Sequence, residues 1–229
     1  MCGRFTLHTP VDKLVKQFWL NTIPKLGPRY NIAPTQLVPI VRSTNNNPSR
    51  QLAFVRWGLV PSWAKAASIG NRMINARQET VAEKPSFRIA FKRQRCLVIA
   101  DGYYEWKRTG KEKQPYYIRL SDNRTMAFAG LWESWNGPAH LPLDKPLESC
   151  TIITTAANAL TRPIHDRMPV ILPPDHWDAW LNLTLLDPKS LLPLLQPYNS
   201  DDLVADPVSR YVNSPSHDDA ACIALQQET

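Results

Sequence analysis

The chain predicts an α+β fold, a single domain over residues 1–229 with a largely antiparallel β-sheet or barrel-like core and short peripheral helices. Three observations carry that expectation. Apolar runs of strand length recur along the chain, separated by polar turn residues, while helical periodicity is confined to short stretches. The 21 prolines make up about 9% of the chain against a usual ~5%, which keeps elements short and loops ordered. No internal repeat, low-complexity tract or linker divides the sequence.

Thr9-Pro10-Val11-Asp12 reads as a helix start, with Thr9 as N-cap, Pro10 in the first turn and an acid at Asp12. Val11, Leu14, Val15, Phe18 and Trp19 follow at helical spacing, so one face packs inward and holds the N-terminal segment near the body. Residues 21–36 are proline-rich and read as an ordered loop. Leu37 to Val41 and Leu52 to Trp57 are strands around a polar tip at Asn45-Asn46-Asn47-Pro48. After an irregular stretch with Trp63, an extended piece presents Asn75-Ala76-Arg77. Glu79 to Arg95 is expected to be partly helical and carries Lys84, Arg88, Lys92, Arg93 and Arg95, the most basic patch of the chain. That patch suits either a solvated helix face or a nucleic-acid contact.

Cys96 to Ala100 is continuously apolar and should be a central strand. Asp101-Gly102 turns the chain into a strand from Tyr103 to Lys107, whose hairpin tip at Thr109 to Lys113 leads to a strand at Tyr116 to Leu120. Thr125 to Trp132, Cys150 to Thr155 and Met168 to Leu172 are further strands. Ala156 to Leu160, Asp175 to Leu183 and Pro188 to Leu195 read as short helices.

The net charge of +7 and pI near 9.3 suit a polyanionic partner, nucleic acid first. The cysteines Cys2, Cys96, Cys150 and Cys222 form no CxxC pair and have no histidine at zinc-site spacing, so no metal and no cofactor are expected. Cys96 and Cys150 lie in apolar runs as buried, inert thiols. No apolar signal segment opens the chain and no apolar stretch could span a bilayer. A reducing cytoplasmic location, with no membrane partner, is the expectation. Phosphate-binding glycine loops, Gly-x-Ser-x-Gly elbows and His-Glu-x-x-His sites are missing from the sequence.

Four places could carry chemistry. Loss of the initiator Met1 would leave Cys2 with an α-amine and a thiol on adjacent carbons, with ordinary pKa values of ~8 and ~8.5. Such a 1,2-aminothiol condenses with an aldehyde to an imine and then closes to a thiazolidine ring; the plain alternative is a frayed terminus. Glu105 sits among Tyr103, Tyr104 and Trp106, where partial burial would raise its pKa and make it a general acid/base. An exposed glutamate paired with Lys107 is the alternative. In Ile164-His165-Asp166-Arg167 the aspartate could fix the histidine tautomer and Arg167 could hold a phosphate, although a structural loop histidine is the commoner case. Asn75 and Arg77 share one face if their segment is extended.

Taken together the motifs resemble the SOS response-associated peptidase family of abasic-site processing proteins, nearly end to end. They are Met1 to Phe5, Arg29-Tyr30-Asn31-Ile32-Ala33-Pro34, Trp57 to Trp63, Ile74 to Thr80, Ala100 to Trp106 and Ile164 to Pro169. Ile99 stands where many relatives carry proline. The resemblance implies that Cys2 attacks the ring-opened aldehyde of an abasic site in single-stranded DNA and forms a thiazolidine crosslink that shields the lesion. By that likeness Glu105 shuttles protons, His165 acts on the opening sugar, and Asn75 holds the N-terminal residue and lesion. Arg4, Arg77 and Arg167 look like phosphate clamps and Trp106 a stacking surface. Autocatalytic peptidase activity and crosslink reversal are implied as secondary activities, and a monomer is expected.

Three rivals remain open on sequence. An N-terminal-nucleophile amidohydrolase also opens Met-Cys-Gly, but Arg4-Phe5 fits it poorly. A non-catalytic single-strand binder would use the basic and aromatic surface alone. A thiol peptidase acting on other proteins would turn over peptides.

Overall fold

The computed structural model describes residues 2–22, 25–44, 47–138 and 140–226. In chain order its elements are β1 (Phe5–Leu7), α1 (Val11–Phe18), β2 (Arg29–Ile32), β3 (Leu37–Thr44), β4 (Asn47–Trp57) and β5 (Asn75–Arg77). Next come α2 (Arg88–Arg93), β6 (Arg95–Ala100), β7 (Gly102–Thr109), β8 (Glu112–Leu120), β9 (Met126–Trp135) and β10 (Leu147–Ala156). The last are β11 (Arg167–Pro169), α3 (Trp177–Leu181), α4 (Pro188–Leu191) and β12 (Leu203–Pro207).

The continuous apolar run at Cys96 to Ala100 becomes β6, whose residues are all buried because both faces are covered. β6 lies between β3 and β9, and the order β10-β4-β3-β6-β9 closes where β9 pairs again with β10. Closure removes the free edges that an open sheet would leave. The pairings in this ring are antiparallel apart from β10 with β4; β5 also joins β10 in parallel, and β11 joins it antiparallel. The second sheet is open and antiparallel, in the order β12-β8-β7-β1-β2. An α+β fold with a largely antiparallel, barrel-like core is therefore what these residues form.

Asp101 is the corner between the two sheets, ending β6 and launching β7. Its buried carboxylate accepts the backbone N–H of His8 at 2.6 Å and of Thr9 at 2.7 Å, and the hydroxyls of Thr9 and Thr125 at 2.7 and 2.9 Å. That engagement explains why Thr9 does not cap α1: its hydroxyl is committed to Asp101, and Pro10 takes the N-cap position with no side-chain cap. Gly102 follows because the Tyr117 ring lies against its Cα; a Cβ there would fall 2.4 Å from a ring carbon. Phe5 of β1 then meets Trp57 and Phe128 of the barrel edge-on, at ring separations of 5.1 and 6.3 Å. This aromatic contact fixes the N-terminal strand on the barrel. Buried aromatic pairs of this kind each stabilise by ~0.5–1.5 kcal/mol beyond area burial.

Several expected elements take other forms. The proline-rich stretch before residue 36 contains β2, held because Asp218 accepts the backbone N–H groups of Tyr30 and Asn31 at 2.6 and 2.8 Å. Ala156 to Leu160 is no helix: Asn158 Oδ1 accepts the N–H and hydroxyl of Thr161, closing turns instead. Helix in the basic segment is confined to α2, and Arg95 leaves the expected patch altogether. Its guanidinium is buried and donates to the carbonyls of Phe91, Lys92, Trp180 and Asn182, closing the ends of α2 and α3. Burial lowers its pKa to about 10. Lys84, Arg88, Lys92 and Arg93 remain exposed. The polar tip expected at Asn45 to Pro48 lies partly outside the described residues. No helix among the described residues is long and apolar enough to cross a membrane.

Candidate functional site

β1 runs antiparallel to β7, with Phe5 opposite Tyr103 and Thr6 opposite Gly102. The Tyr104 N–H continues the ladder onto the Arg4 carbonyl at 3.0 Å. Past that bond no described strand flanks β7 on the side away from β8. The N-terminal residues therefore arrive beside Glu105 and Trp106, at the point where β7 loses its neighbour. Cys2 is buried there, packed in the core cluster that contains Phe5, Ala76 and Tyr103. Its thiol lies 4.0 Å from the carbonyl oxygen of Arg4, two residues on, so the segment bends at Gly3 instead of continuing straight.

Asn75, at the start of β5, donates its Nδ2 to the Cys2 carbonyl at 2.8 Å. β5 is held in place by parallel pairing with β10, which sets Asn75 opposite Ile152. The other half of that amide, Oδ1, is buried and has no hydrogen-bond partner among the described residues. An amide so placed fixes the Cys2 backbone and still offers an acceptor.

Glu105 is buried at 4% exposure, and burial raises its pKa, with the nearby His165 pulling in the opposite direction. Cys2 has its thiol pushed up by burial first and by the Glu105 charge second. Burial thus works against the charged form of each group, and the two act on each other across the site. Tyr103, on the same face of β7 as Glu105, is fully buried and has no hydrogen-bond partner for its hydroxyl among the described residues.

His165 lies in the turn before β11. Its Nδ1 is 3.0 Å from the Arg167 backbone N–H and 2.9 Å from Asp166 Oδ1. The neutral ring accepts the Arg167 N–H at Nδ1 and carries its proton on Nε2; the charged ring can turn Nδ1–H to Asp166. His165, Glu105, Trp106, Arg108, Lys113 and Asn213 line one open cleft of about 450 Å³.

The expected phosphate contacts divide by their partners. Arg4 donates to Asn31 Oδ1 at 2.6 Å and to the carbonyls of Val212 and Asn213 at 3.0 and 3.3 Å, with its guanidinium 6.0 Å from the Trp106 ring centroid. It ties β1 to the C-terminal segment. Arg167 makes a two-pronged pair with Glu79 and donates to the Thr154 carbonyl at 2.7 Å. Arg77 is exposed, on β5 opposite Thr154. Trp106 is half-buried and donates its Nε1 to Asn213 Oδ1 at 2.8 Å. Sequence reading did not single out Asn213, Arg108 or Lys113. The last two were legible only as hairpin cations, and Asn213 joins Trp106 across 107 residues of chain. Among the described residues no cluster of three or more metal-binding side chains is present.

Comparison with known proteins shows the family of the chain. Residues 1–215 match the family described as SOS response associated peptidase (SRAP). The chain belongs to that family. It is 48% identical over 222 residues to abasic site processing protein YoqW of Bacillus subtilis, covering 95% of this chain and 96% of the relative. Abasic site processing protein HMCES of Xenopus tropicalis is 32% identical over 228 residues, covering 87% of this chain and 67% of that one. Among solved structures, a Bacteroides thetaiotaomicron protein superposes with a TM-score of 0.87 at 27% identity, covering 99% of this chain and 100% of the other. The SRAP fold is thus shared end to end.

Proposed function

We propose that this SRAP protein processes abasic sites in single-stranded DNA by forming a covalent thiazolidine with Cys2 after Met1 is removed. The observation that carries this reading is the Asn75 hydrogen bond to the Cys2 carbonyl, which anchors the second residue of the chain beside the buried Glu105. A frayed terminus could not gain from proximity; an anchored one can, with effective molarities reaching ~10⁵–10⁸ M for well-oriented groups.

One water is consumed and methionine released when hydrolysis of the Met1–Cys2 bond frees the Cys2 amine, and one water leaves in the condensation. That amine adds to the aldehyde carbon of the ring-opened sugar, and Glu105, whose pKa burial raises, donates a proton as water leaves the carbinolamine, giving a protonated imine and a Glu105 carboxylate. The Cys2 sulfur then bonds to the imine carbon as its proton passes to Glu105, closing the five-membered ring. His165 acts on the sugar oxygen while the furanose opens. Arg77, Arg4 and Arg167 contact phosphate, the latter two by exchanging or sharing present partners, and Trp106 packs on sugar or base, where stacking contributes ~1–3 kcal/mol. No cofactor or metal enters this scheme. The protein acts as a monomer, in the cytoplasm or on the nucleoid.

An amidohydrolase mechanism needs a thiolate attacking an amide, and burial beside Glu105 opposes that thiolate. The deciding experiment mixes Met1-processed protein with an oligonucleotide holding one abasic site, followed by a denaturing gel. A heat-stable shifted band on single-stranded DNA is expected. Complete processing with no adduct would overturn the proposal.

A further inference from the structure

Arg108 and Lys113 stand directly opposite each other on β7 and β8, near the tip of the hairpin that these strands form. Both are exposed, and neither makes an ion pair among the described residues. The neighbouring glutamate, Glu112, is committed to Arg210 at 3.0 Å. Like charges placed face to face across a sheet repel, so this pair works against the hairpin that carries it. Both side chains line the same cleft as Glu105 and His165. The cleft is therefore acidic and proton-handling at one end and doubly cationic at the other.

Direct register puts two side chains on one face, so Arg108 and Lys113 share the face of Trp106 and Pro115. Trp106 is steadied by Asn213, giving a flat ring between the reactive residues and the two cations. Arg108 lies three residues beyond Glu105, about 10 Å along β7 at the usual strand rise and on the opposite face, so the cleft that both residues line wraps the strand. One nucleic-acid strand places a phosphate every ~3.4 Å in a duplex and farther apart when stretched. The cations thus fall within about three nucleotides of a base or sugar held at Glu105.

We infer that the Arg108–Lys113 pair is a phosphate-binding subsite that grips the DNA backbone on one flank of the lesion. This deepens the proposed abasic-site reading and rests on it. Phosphate is the chemistry that two unpaired, mutually repelling cations at the open end of a cleft would take. Only one flank can occupy the hairpin, because the cations lie to one side of Glu105 along β7. The subsite gives the protein a requirement for chain length on that side alone.

The test measures noncovalent affinity with Cys2→Ala protein, comparing hairpin R108Q/K113Q with its parent at several salt concentrations. Three abasic-site oligonucleotides are used: one with long flanks, one trimmed to a single nucleotide on the 5′ side, and one so trimmed on the 3′ side. Two lost contacts at ~0.7 per phosphate should flatten the log–log salt slope by about 1.4 on the long strand. Trimming one flank should erase the difference between the two proteins, while trimming the other should leave it intact. Melting temperature should be unchanged or higher for R108Q/K113Q, since a repulsion is removed.

An unchanged slope on the long strand would overturn the inference. So would a loss that survives both trims equally, because that signature belongs to a diffuse field. Adduct formation by Cys2-containing protein on the long strand is scored separately. Its absence would refute the thiazolidine reading, while a flank-specific slope change would still establish the phosphate grip.

Discussion

The closed barrel and the open five-stranded sheet each bury cysteine completely, yet they treat it differently. Cys96 and Cys150 lie on β6 and β10, inside a ring with no free edge, and burial pushes both thiols up. Among the described residues, Cys150 also pushes the Cys96 thiol up and Arg42 pulls it down. Cys2 is equally buried but sits where β7 runs out of neighbours, with Glu105 acting on it and Asn75 holding its backbone. Burial alone does not make a thiol inert or useful. What differs is the company each thiol keeps: a carboxylate acts on Cys2 and an amide holds its backbone.

The sharpest way to break this contrast is to exchange the thiols' fates. Cys2→Ala should abolish the covalent adduct and, because Cys2 is equally buried, lose about 1 kcal/mol of stability. Cys150→Ala should form adduct normally and lose about 1 kcal/mol of stability, read by denaturant titration. Adduct loss in the barrel variant would dissolve the distinction.

Next in size is Glu105→Gln, which should slow adduct formation by ~10²–10⁴ with DNA affinity preserved. Its pH behaviour follows from the raised pKa of Glu105. The folded protein holds this proton at pH values where the unfolded chain has lost it. Stability from the group is therefore complete below the usual glutamate range and is lost as pH rises through the folded value. Glu105→Gln should flatten that decline, measured as melting temperature against pH. A variant curve parallel to wild type would exclude buried protonated Glu105.

A third test targets the corner that joins the two regions. Asp101→Ala removes the acceptor of two N–H groups and two hydroxyls, and should cost about 3 kcal/mol or more. The adduct rate should fall too, because β1 and with it Cys2 lose their placement. Stability loss with an unchanged rate would separate the corner from the site. The smallest expected effect is that of Trp106→Ala, weakening single-strand affinity by ~1–3 kcal/mol in fluorescence anisotropy with little change in melting temperature.

The barrel was legible in the sequence because β6, and most of β9 and β10, are buried on both faces and read as apolar runs. β2 was not, since nothing local marks it: its place depends on Asp218, nearly two hundred residues away. Thr9 illustrates the same limit at shorter range. Its sequence fits a cap, but a buried carboxylate on another strand outcompetes the helix end for its hydroxyl. In the site, Cys2, Glu105 and His165 could be named from side-chain chemistry and family likeness. Period-two alternation also put Asn75 and Arg77 on one face, though the bond from Asn75 to Cys2 needed the fold. Arg95 misled because charge was counted without burial, and a guanidinium that closes two helix ends cannot meet DNA. Asn213 had no local signal.

Arg4 binds Val212 and Asn213, so 208 and 209 residues separate it from those partners. A ribosome makes Arg4 well before those two carbonyls exist. Until then the segment that carries Cys2 lacks this anchor, and the cleft lacks Asn213 as a wall. The Cys2 end thus gains its support only once Val212 and Asn213 have been made, and a chain cut short before Val212 would carry Cys2 without it.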